Sequence, residues 1–171
     1  MATNVEIKAK VGDFDDLKRR VEGLSETPGV LIPQEDTFFH SPRGRLKLRV
    51  LAPDHGQLVY YERQDAAGPR RSDYYIYSTT EPAILKSILA ASLGIRGAVH
   101  KQRLLYLVGN TRVHLDQVED LGPFMELEVV LGPGQSDAEG QAIATELMEK
   151  LGIEETDLIE VAYMDLLEGL G

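Results

Sequence analysis

The chain has 171 residues, of which 43% are hydrophobic and 27% charged, values typical of one globular domain with a substantial core. It contains no cysteine, which excludes a disulfide framework and thiolate chemistry, and no apolar run has the length of a transmembrane helix or the form of a signal peptide. Without such a segment we expect a cytoplasmic protein with no membrane partner, and the net charge of −10 argues against a general basic surface for nucleic acid.

Positive and negative charges are distributed unevenly along the chain. Residues 1–115 hold 17 Lys or Arg against 13 Asp or Glu, whereas residues 116–171 hold 1 against 15. The whole-chain charge is therefore a poor guide to the partner, because a concentrated cation cluster can lie beside an acidic C-terminal region.

The first half of the chain is predicted to form strands and one helix. Residues 4–11 predict a strand, and Asp13 can cap a helix over residues 13–24, where apolar residues recur at helical spacing. Segments rich in Pro, Gly and Asp separate the strand-like runs that follow. These runs cover residues 30–40, 45–52, 57–64 and 70–77.

The second half alternates helices with strands. Pro82 suits the first turn of a helix that extends to about residue 93, and Gly94 ends it. Ser136 and Glu139 form a capping box for a helix to about residue 151, and Thr156 can start a last helix to about residue 168. The strands in this half cover residues 97–108 and 111–118, joined by a hairpin turn at Gly109 and Asn110, and residues 123–131.

Charged residues, mostly of like sign within a strand, lie two residues apart on strand after strand, so they share one strand face. The opposite face is apolar, as Val5, Ile7 and Ala9 show in the first strand. On any single strand this alternation is typical of the solvated side of an antiparallel sheet. Because the helices need an apolar sheet face to cover, we expect the charged faces to converge and line a barrel or tunnel. The charged sets are Glu6, Lys8 and Lys10; Arg45, Lys47 and Arg49; Lys101 and Arg103; and Glu126 and Glu128.

A converging set of cations could bind a linear triphosphate, which carries about four negative charges. Any one of these cations could instead be an exposed residue that protects a sheet edge. Alternation on four strands favours the binding interpretation, and neither a P-loop nor a Rossmann glycine fingerprint offers another phosphate site. The candidate phosphate ligands are Lys8, Arg45, Lys47, Arg49, Arg63, Lys101 and Arg103.

Carboxylates on the same faces provide a candidate site for Mg²⁺ or Mn²⁺, which prefer oxygen ligands. Glu126 and Glu128 share a face, Asp116 lies on the preceding strand, and Glu6 lies on the first strand. The four histidines show no metal-ligand spacing, and we expect them at turn or strand positions. His114 is the partial exception, because it lies two residues before Asp116 and faces the same way.

These residues resemble those of the CYTH superfamily, the triphosphate tunnel metalloenzymes, which include class IV adenylyl cyclases, thiamine triphosphatases and inorganic tripolyphosphatases. Residues 4–8 resemble the family's Glu-x-Glu-x-Lys signature, and further matches follow in order over nearly the whole chain. The further matching segments are residues 34–39, 45–49, 101–103, 113–118, 121–128 and 162–167.

The resemblance implies an α+β fold in which eight antiparallel strands form a barrel, the triphosphate tunnel, with flanking and C-terminal helices in one domain over residues 1–171. Two residues depart from the family pattern. Asn4 replaces the first signature Glu, which removes a charge from the metal side, and Phe38 stands where the family often has Tyr. The implied metal ligands are Glu6, Asp116, Glu126 and Glu128, and the implied phosphate ligands are Lys8, Lys47, Arg49, Arg63, Lys101 and Arg103.

Three functions remain open on the sequence. The first is a metal-dependent hydrolase of tripolyphosphate, thiamine triphosphate or a nucleoside triphosphate, with Glu6, Lys8 and Lys10 as catalytic candidates. The second is a class IV-type adenylyl cyclase that converts ATP to cyclic AMP and pyrophosphate. The third is a non-catalytic protein that binds polyphosphate or a nucleotide, if Asn4 prevents productive metal binding. The partner is a small-molecule triphosphate or polyphosphate in each case, and the chain could be a monomer or a homodimer.

Overall fold

Eight antiparallel strands close into a barrel in the order β1-β5-β4-β3-β2-β6-β7-β8. This closed strand order confirms the predicted α+β barrel. The structure is a computed structural model that describes residues 1–63, 66 and 68–170. The strands are β1 (Ala2–Lys10), β2 (Val30–Phe39), β3 (Arg45–Ala52), β4 (His55–Arg63), β5 (Arg70–Thr79), β6 (Ile95–Val108), β7 (Thr111–Val118) and β8 (Gly122–Val130).

The helices begin and end largely where their capping residues predict. Asp13 caps α1 (Phe14–Leu24) by accepting a hydrogen bond from the Asp16 backbone N–H at 3.0 Å. Pro82 opens α2 (Pro82–Leu93), and Ser136 and Glu139 form the predicted capping box of α3 (Asp137–Leu151). Residue 64, the end of the predicted run 57–64, lies outside the described residues, as does residue 171 of the predicted domain.

The prediction of one long last helix from Thr156 is wrong. The segment instead forms a short 3₁₀ helix (Glu155–Asp157), an extended stretch, and α4 (Tyr163–Glu168). In the extended stretch Leu158 pairs with Ala9, and the Ile159 N–H donates to the Lys8 carbonyl at 2.9 Å. The backbone groups of the stretch therefore bond to the barrel, and helical bonds do not form there.

The hydrophobic core lies outside the barrel, between the strands and two helices. Helices α1 and α3 pack on the apolar outer faces of β1, β6, β7 and β8. The approach is close, since a Cβ atom on Gly140 of α3 would lie 2.7 Å from Cγ2 of Val5. Because successive side chains of a strand point to opposite faces, the charged side chains point into the barrel. The buried members of this core are Ile7, Ala9, Leu17, Val21, Tyr106, Val113, Leu115, Met125, Leu127, Leu147, Met148 and Leu151.

The C-terminal segment closes one end of the barrel. A second apolar cluster packs α4 against this end of the barrel, where β1 ends and β8 begins. None of the helices among the described residues has the length and apolar character needed to cross a membrane. The buried members of this second cluster are Phe38, Val99, Val118, Phe124, Ile159, Tyr163 and Met164.

Candidate functional site

A cavity of about 300 Å³ occupies the barrel interior, lined by inward-facing side chains from all eight strands and by the start of α4. Its walls combine cations, acids and apolar side chains. Nine of the predicted site residues line it, namely Glu6, Lys8, Lys47, Arg49, Arg63, Lys101, Arg103, Glu126 and Glu128.

Three predicted site residues lie outside the cavity, in contrast to the sequence-based expectation. Lys10 is exposed at the end of β1, and Arg45 at the start of β3 forms an ion pair of 3.2 Å with Asp165 of α4. Asp116 is fully buried beside the cavity, where it holds Arg103. The period-two pattern does not distinguish strand ends from strand centres: Arg45 meets Asp165 of α4 at the start of β3, and Lys10 is exposed at the end of β1.

The cations of β3 and β6 are arranged around Asp36 of β2, a carboxylate with only 1% of its surface exposed. Arg49 donates two hydrogen bonds to Asp36, at 2.9 and 3.0 Å, and Lys47 Nζ lies 3.2 Å from the same carboxylate. Lys101 Nζ lies 3.5 Å away. Burial would raise the pKa of Asp36, but Arg49, Lys47 and Lys101 outweigh it and hold this pKa well below the usual value. Three cations thus surround one anion, which leaves an excess of positive charge.

Arg103 is held by a buried network that reaches α4. Its guanidinium donates to both oxygens of Asp116 at 2.8 Å, and Nη2 lies 3.3 Å from Glu126 Oε2. The Tyr163 hydroxyl donates to Asp116 at 2.9 Å. Because both partners are buried and paired, the guanidinium is fixed in orientation at the boundary between the cations and the acids.

The acids of β8 form a candidate metal site with His114 of β7. One ligand atom from each of His114, Glu126 and Glu128 lies within 4.8 Å of the others. His114 Nδ1 lies 3.4 Å from Glu128 and 3.6 Å from Glu126, yet it is buried without a hydrogen bond to any described residue. A buried imidazole nitrogen that faces two carboxylates and makes no well-aligned hydrogen bond to them fits a divalent cation.

The protonation states of His114 and Glu126 also favour the binding of a divalent cation. Burial, followed by the charge of Arg103, lowers the pKa of His114, which favours the neutral imidazole that a metal requires. Burial opposes ionisation of Glu126, but Lys8 and Arg103 hold its pKa well below the usual value. In contrast, burial and the charge of Glu128 raise the pKa of Glu6, whose Oε1 lies 3.1 Å from Arg63 Nη1.

Lys8 and Lys101 are the buried lysines whose pKa values lie far below the usual lysine value. Burial lowers the pKa of Lys8 to about 7, although Glu126, 3.5 Å away, opposes this change. Burial and then Arg103 lower the pKa of Lys101 to about 8. Lys8 Nζ also lies 3.9 Å from the centre of the Tyr163 ring, at the closed end of the cavity.

Asn4 takes part in the network around Glu128. Its amide nitrogen lies 3.4 Å from Glu128, and its amide oxygen accepts a hydrogen bond from the Tyr74 hydroxyl at 3.2 Å. Arg112 donates to the same Glu128 oxygen at 2.8 Å. The amide at position 4 is therefore engaged with protein groups, and Arg112 supplies a positive charge beside this acid.

Sequence reasoning did not assign Asp36, His114, Arg112 or Tyr163 to the site. Asp36 belongs to a segment with a family match, and its inward direction follows from its position on β2, but nothing local marks it as the partner of three cations. His114 shares a strand face with Asp116, which is a usable signal. Tyr163 reaches the cavity only because the extended C-terminal stretch crosses the barrel end, and no sequence pattern indicates that crossing.

A model of the CYTH domain family matches residues 2–163 of the chain. The PH1012 protein of Pyrococcus horikoshii OT3 is 26% identical over 95% of this chain and 98% of its own, with a TM-score of 0.83. A candidate adenylate cyclase of Vibrio parahaemolyticus is 19% identical over 96% of this chain and 97% of its own, with a TM-score of 0.78. A candidate adenylyl cyclase of Hippeastrum, described with a dominant triphosphatase activity, is 13% identical over 97% and 95%, with a TM-score of 0.68.

Among curated protein sequences, none matches the chain significantly. The family match nevertheless extends over almost the whole chain and includes all eight strands of the barrel. The chain therefore belongs to the CYTH domain family.

Proposed function

We propose that this chain is a divalent-metal-dependent hydrolase that releases orthophosphate from a triphosphate bound in the barrel cavity. One observation carries the proposal: the cavity wall concentrates cations in one half and acids with His114 in the other, where Lys8 and Arg112 pair with the acids. The cations around Asp36 lie on β3 and β6, whereas Glu6, Glu126, Glu128 and His114 lie on β1, β8 and β7. A chain of phosphates bound between these halves would meet cations on one side and metal ligands on the other.

The cations would bind and orient the phosphate oxygens. Lys47, Arg49 and Lys101 are already held in position by Asp36, and Arg103 is held by Asp116. Little reorganisation is needed when the anion binds, so these charges can stabilise the transition state electrostatically. Burial increases the strength of each contact, because water screens it less than it would at a surface.

Glu126, Glu128 and His114 would hold the divalent cation, Mg²⁺ or Mn²⁺, with Glu6 on the neighbouring strand. When bound, the cation would neutralise charge that develops on the phosphate oxygens. Asn4 contributes no charge to this cluster, and Arg112 already pairs with Glu128. The residues present therefore fit a site with fewer carboxylates than the family signature contains.

Lys8 lies where it can act on the terminal phosphate. A water oxygen would bond to the terminal phosphorus as the bridging P–O bond breaks, and the water would lose a proton. In the empty cavity the pKa of Lys8 is about 7, and a bound anion raises it, so Lys8 would be protonated in the complex and would donate to an oxygen of the terminal phosphate. Glu6 is the candidate base for the water proton, since burial raises its pKa. Lys10 is exposed at the strand end and has no part in this step.

Two alternatives retain the same cavity. The Vibrio parahaemolyticus relative, by its description, supports a cyclase, in which a ribose hydroxyl attacks the α-phosphorus. The Hippeastrum relative supports hydrolysis by the same kind of fold-level analogy. A non-catalytic binder is the third possibility, and its motivation is Asn4.

A product assay tests the proposal. The purified protein is incubated with tripolyphosphate, thiamine triphosphate or ATP, with Mg²⁺ or Mn²⁺, and orthophosphate and pyrophosphate are measured separately. We expect orthophosphate release that depends on the metal and is lost in Glu126→Ala, Glu128→Ala and Arg49→Ala. Pyrophosphate with cyclic AMP from ATP would show a cyclase instead. Bound triphosphate without any release would show a non-catalytic binder.

A further inference from the structure

The acidic half of the cavity wall is arranged in two rows that cross β7, β8 and β1. The rows follow from the antiparallel register of these strands, which places each inward glutamate of β8 between a residue of β7 and a residue of β1. One row is His114, Glu126 and Lys8, and the other is Arg112, Glu128 and Glu6. Each row therefore has a glutamate at its centre and a cationic side chain paired with it, Lys8 in the first and Arg112 in the second.

The two carboxylate oxygens of Glu128 face different partners. Oε2 accepts hydrogen bonds from Nε and Nη2 of Arg112 at 3.2 and 2.8 Å, and the amide nitrogen of Asn4 lies 3.4 Å from the same oxygen. Oε1 instead lies 3.4 Å from Nδ1 of His114, on the side of the candidate metal site. Glu128 is therefore placed to bond through one oxygen to a metal ion and through the other to a guanidinium.

Arg112 is a fixed positive charge at this position. A guanidinium keeps its proton throughout the ordinary pH range, and its bonds to a carboxylate are charge-assisted. Arg112 also lines the cavity, and 35% of its side-chain surface remains accessible. Because a guanidinium carries more N–H donors than Glu128 uses, Arg112 can also donate to a phosphate oxygen of an anion in the cavity.

The described residues offer the ligands for one divalent cation. Only one set of three His, Asp or Glu side chains among them has its ligand atoms within 4.8 Å of one another, namely His114, Glu126 and Glu128. Two oxygens of β1 are already engaged, since Glu6 Oε1 accepts a hydrogen bond from Arg63 and the Asn4 amide oxygen accepts one from Tyr74. A second divalent cation on this side would also lie beside Arg112, where like charges repel.

We propose that the cavity binds one divalent cation, and that Arg112 supplies a built-in positive charge where a second metal ion would otherwise lie, bonded to Glu128 and to the bound anion. This inference rests on the proposed function for the positions of the metal and the anion, but it concerns charge and stoichiometry and not turnover. Asn4 suits the arrangement, because a neutral amide beside Glu128 leaves one carboxylate for the guanidinium to balance.

Replacement of Arg112 tests the built-in charge through opposite effects on two ligands. Loss of the cation should let Arg112→Met bind Mn²⁺ about tenfold more tightly than the native protein, and tripolyphosphate, in EDTA, about tenfold more weakly. Isothermal titration calorimetry measures the two affinities separately. Arg71→Met, which removes an exposed arginine of β5 that pairs with Asp73, is the matched control and should change neither. Any other combination, such as weaker binding of both ligands because Arg112 only supports the shape of the site, overturns the inference.

The number of bound ions tests the same charge from position 4. Electron paramagnetic resonance of free Mn²⁺ during a titration counts the ions that the protein binds. We expect about one ion per chain for the native protein and for Asn4→Glu, and about two for Asn4→Glu combined with Arg112→Met, because the guanidinium then no longer balances the added carboxylate. Asn4→Glu combined with Arg71→Met is the control and should match Asn4→Glu alone. Asn4→Asp combined with Arg112→Gln replaces the double variant if circular dichroism shows that it does not fold.

The ion counts separate this inference from the proposed function. Two ions bound to the native protein or to Asn4→Glu would overturn the inference, even if the protein hydrolyses triphosphates. A folded double variant that binds a single ion would overturn it as well. The expected counts and the opposite changes in affinity, without any release of orthophosphate, would overturn only the proposed function.

Discussion

His114 shows how one side chain can alter the interpretation of the site. The sequence offers carboxylates for a metal, and the structure adds a buried imidazole nitrogen that lies within 3.6 Å of two of them. Asp116, which the resemblance implied as a ligand, instead accepts three hydrogen bonds from Arg103 and Tyr163. At the residue scale, the set Glu126, Glu128 and His114 is therefore the better candidate for the metal.

Removal of this imidazole should weaken metal binding. We expect His114→Ala to bind Mn²⁺ at least about tenfold more weakly, because one of the ligand atoms is lost and the two carboxylates are left less well oriented. His100→Ala, which changes an exposed histidine on β6, is the matched control. Calorimetric titration of the metal-free protein with Mn²⁺ measures the affinity. Equal affinity of both variants would remove His114 from the metal site.

Lys8 and Lys101 should take up protons when a triphosphate binds. In the empty cavity their pKa values are about 7 and about 8, so above about pH 8 both are largely neutral. An adjacent anion raises a lysine pKa, so binding at pH 8.5 should draw up to about two protons from the buffer. Affinity should fall as the pH rises through these values, because the neutral forms must first be protonated.

Calorimetry in buffers of different ionisation enthalpy measures this proton uptake, with tripolyphosphate as ligand and EDTA present. Lys101→Met should take up fewer protons than the native protein, while Lys86→Met, which changes a lysine of α2 outside the cavity, should match it. A binding enthalpy that is the same in every buffer would contradict the shifted pKa values.

At the scale of elements, the C-terminal segment does more than close the barrel. Its extended stretch bonds to β1, and α4 places Tyr163 where the hydroxyl reaches Asp116 and the ring faces Lys8. The segment thereby links the orientation of Arg103 to the closed end of the cavity. A continuous helix from residue 156, as the sequence favours, would have left those backbone bonds to β1 unmade.

The Tyr163 hydroxyl should contribute measurably to stability. We expect Tyr163→Phe to lower the free energy of unfolding by about 1 kcal/mol, because the buried Asp116 carboxylate loses one donor while the ring packing is kept. Tyr77→Phe on β5 alters an exposed tyrosine and should have little effect. Urea denaturation of the two variants gives the comparison. Native-like stability of Tyr163→Phe would show that the network around Arg103 does not depend on α4.

At the scale of the whole molecule, the barrel has its hydrophobic core outside and its charges inside. Helices α1 and α3 bury the outer faces, and the interior is balanced by pairing cations with acids. Such pairing offsets the cost of burying charge, although it need not add net stability. An anionic ligand would add a further negative charge to the interior, so its binding should increase the free energy of unfolding.

Replacement of Asp36 should expose this linkage. Asp36→Asn leaves Lys47, Arg49 and Lys101 without their buried anion, and we expect a loss of about 3 kcal/mol, or roughly 6–12 °C in Tm. Tripolyphosphate at about 100 times its Kd should restore about 2.7 kcal/mol. Scanning calorimetry with and without ligand measures both effects. Asp73→Asn disrupts a more exposed pair with Arg71 and serves as the control.

If Asp36→Asn proves as stable as the native protein, the cations do not require this carboxylate. If tripolyphosphate stabilises neither protein, the cavity does not bind it under these conditions.

The sequence by itself determined the elements and the direction of their side chains. Alternation on β1, β3, β6 and β8 determined which residues face inward, capping residues determined where α1 and α3 begin, and Pro82 determined where α2 begins. These are local properties, set by neighbours along the chain. Only the tertiary structure decided which inward residues share the cavity, because α4 pairs with Arg45, and the pairing of β2 with both β3 and β6 brings Asp36 to three cations. The contacts of Arg45 with Asp165 and of Lys101 with Asp36 join positions far apart in sequence, and no local pattern specifies their distances.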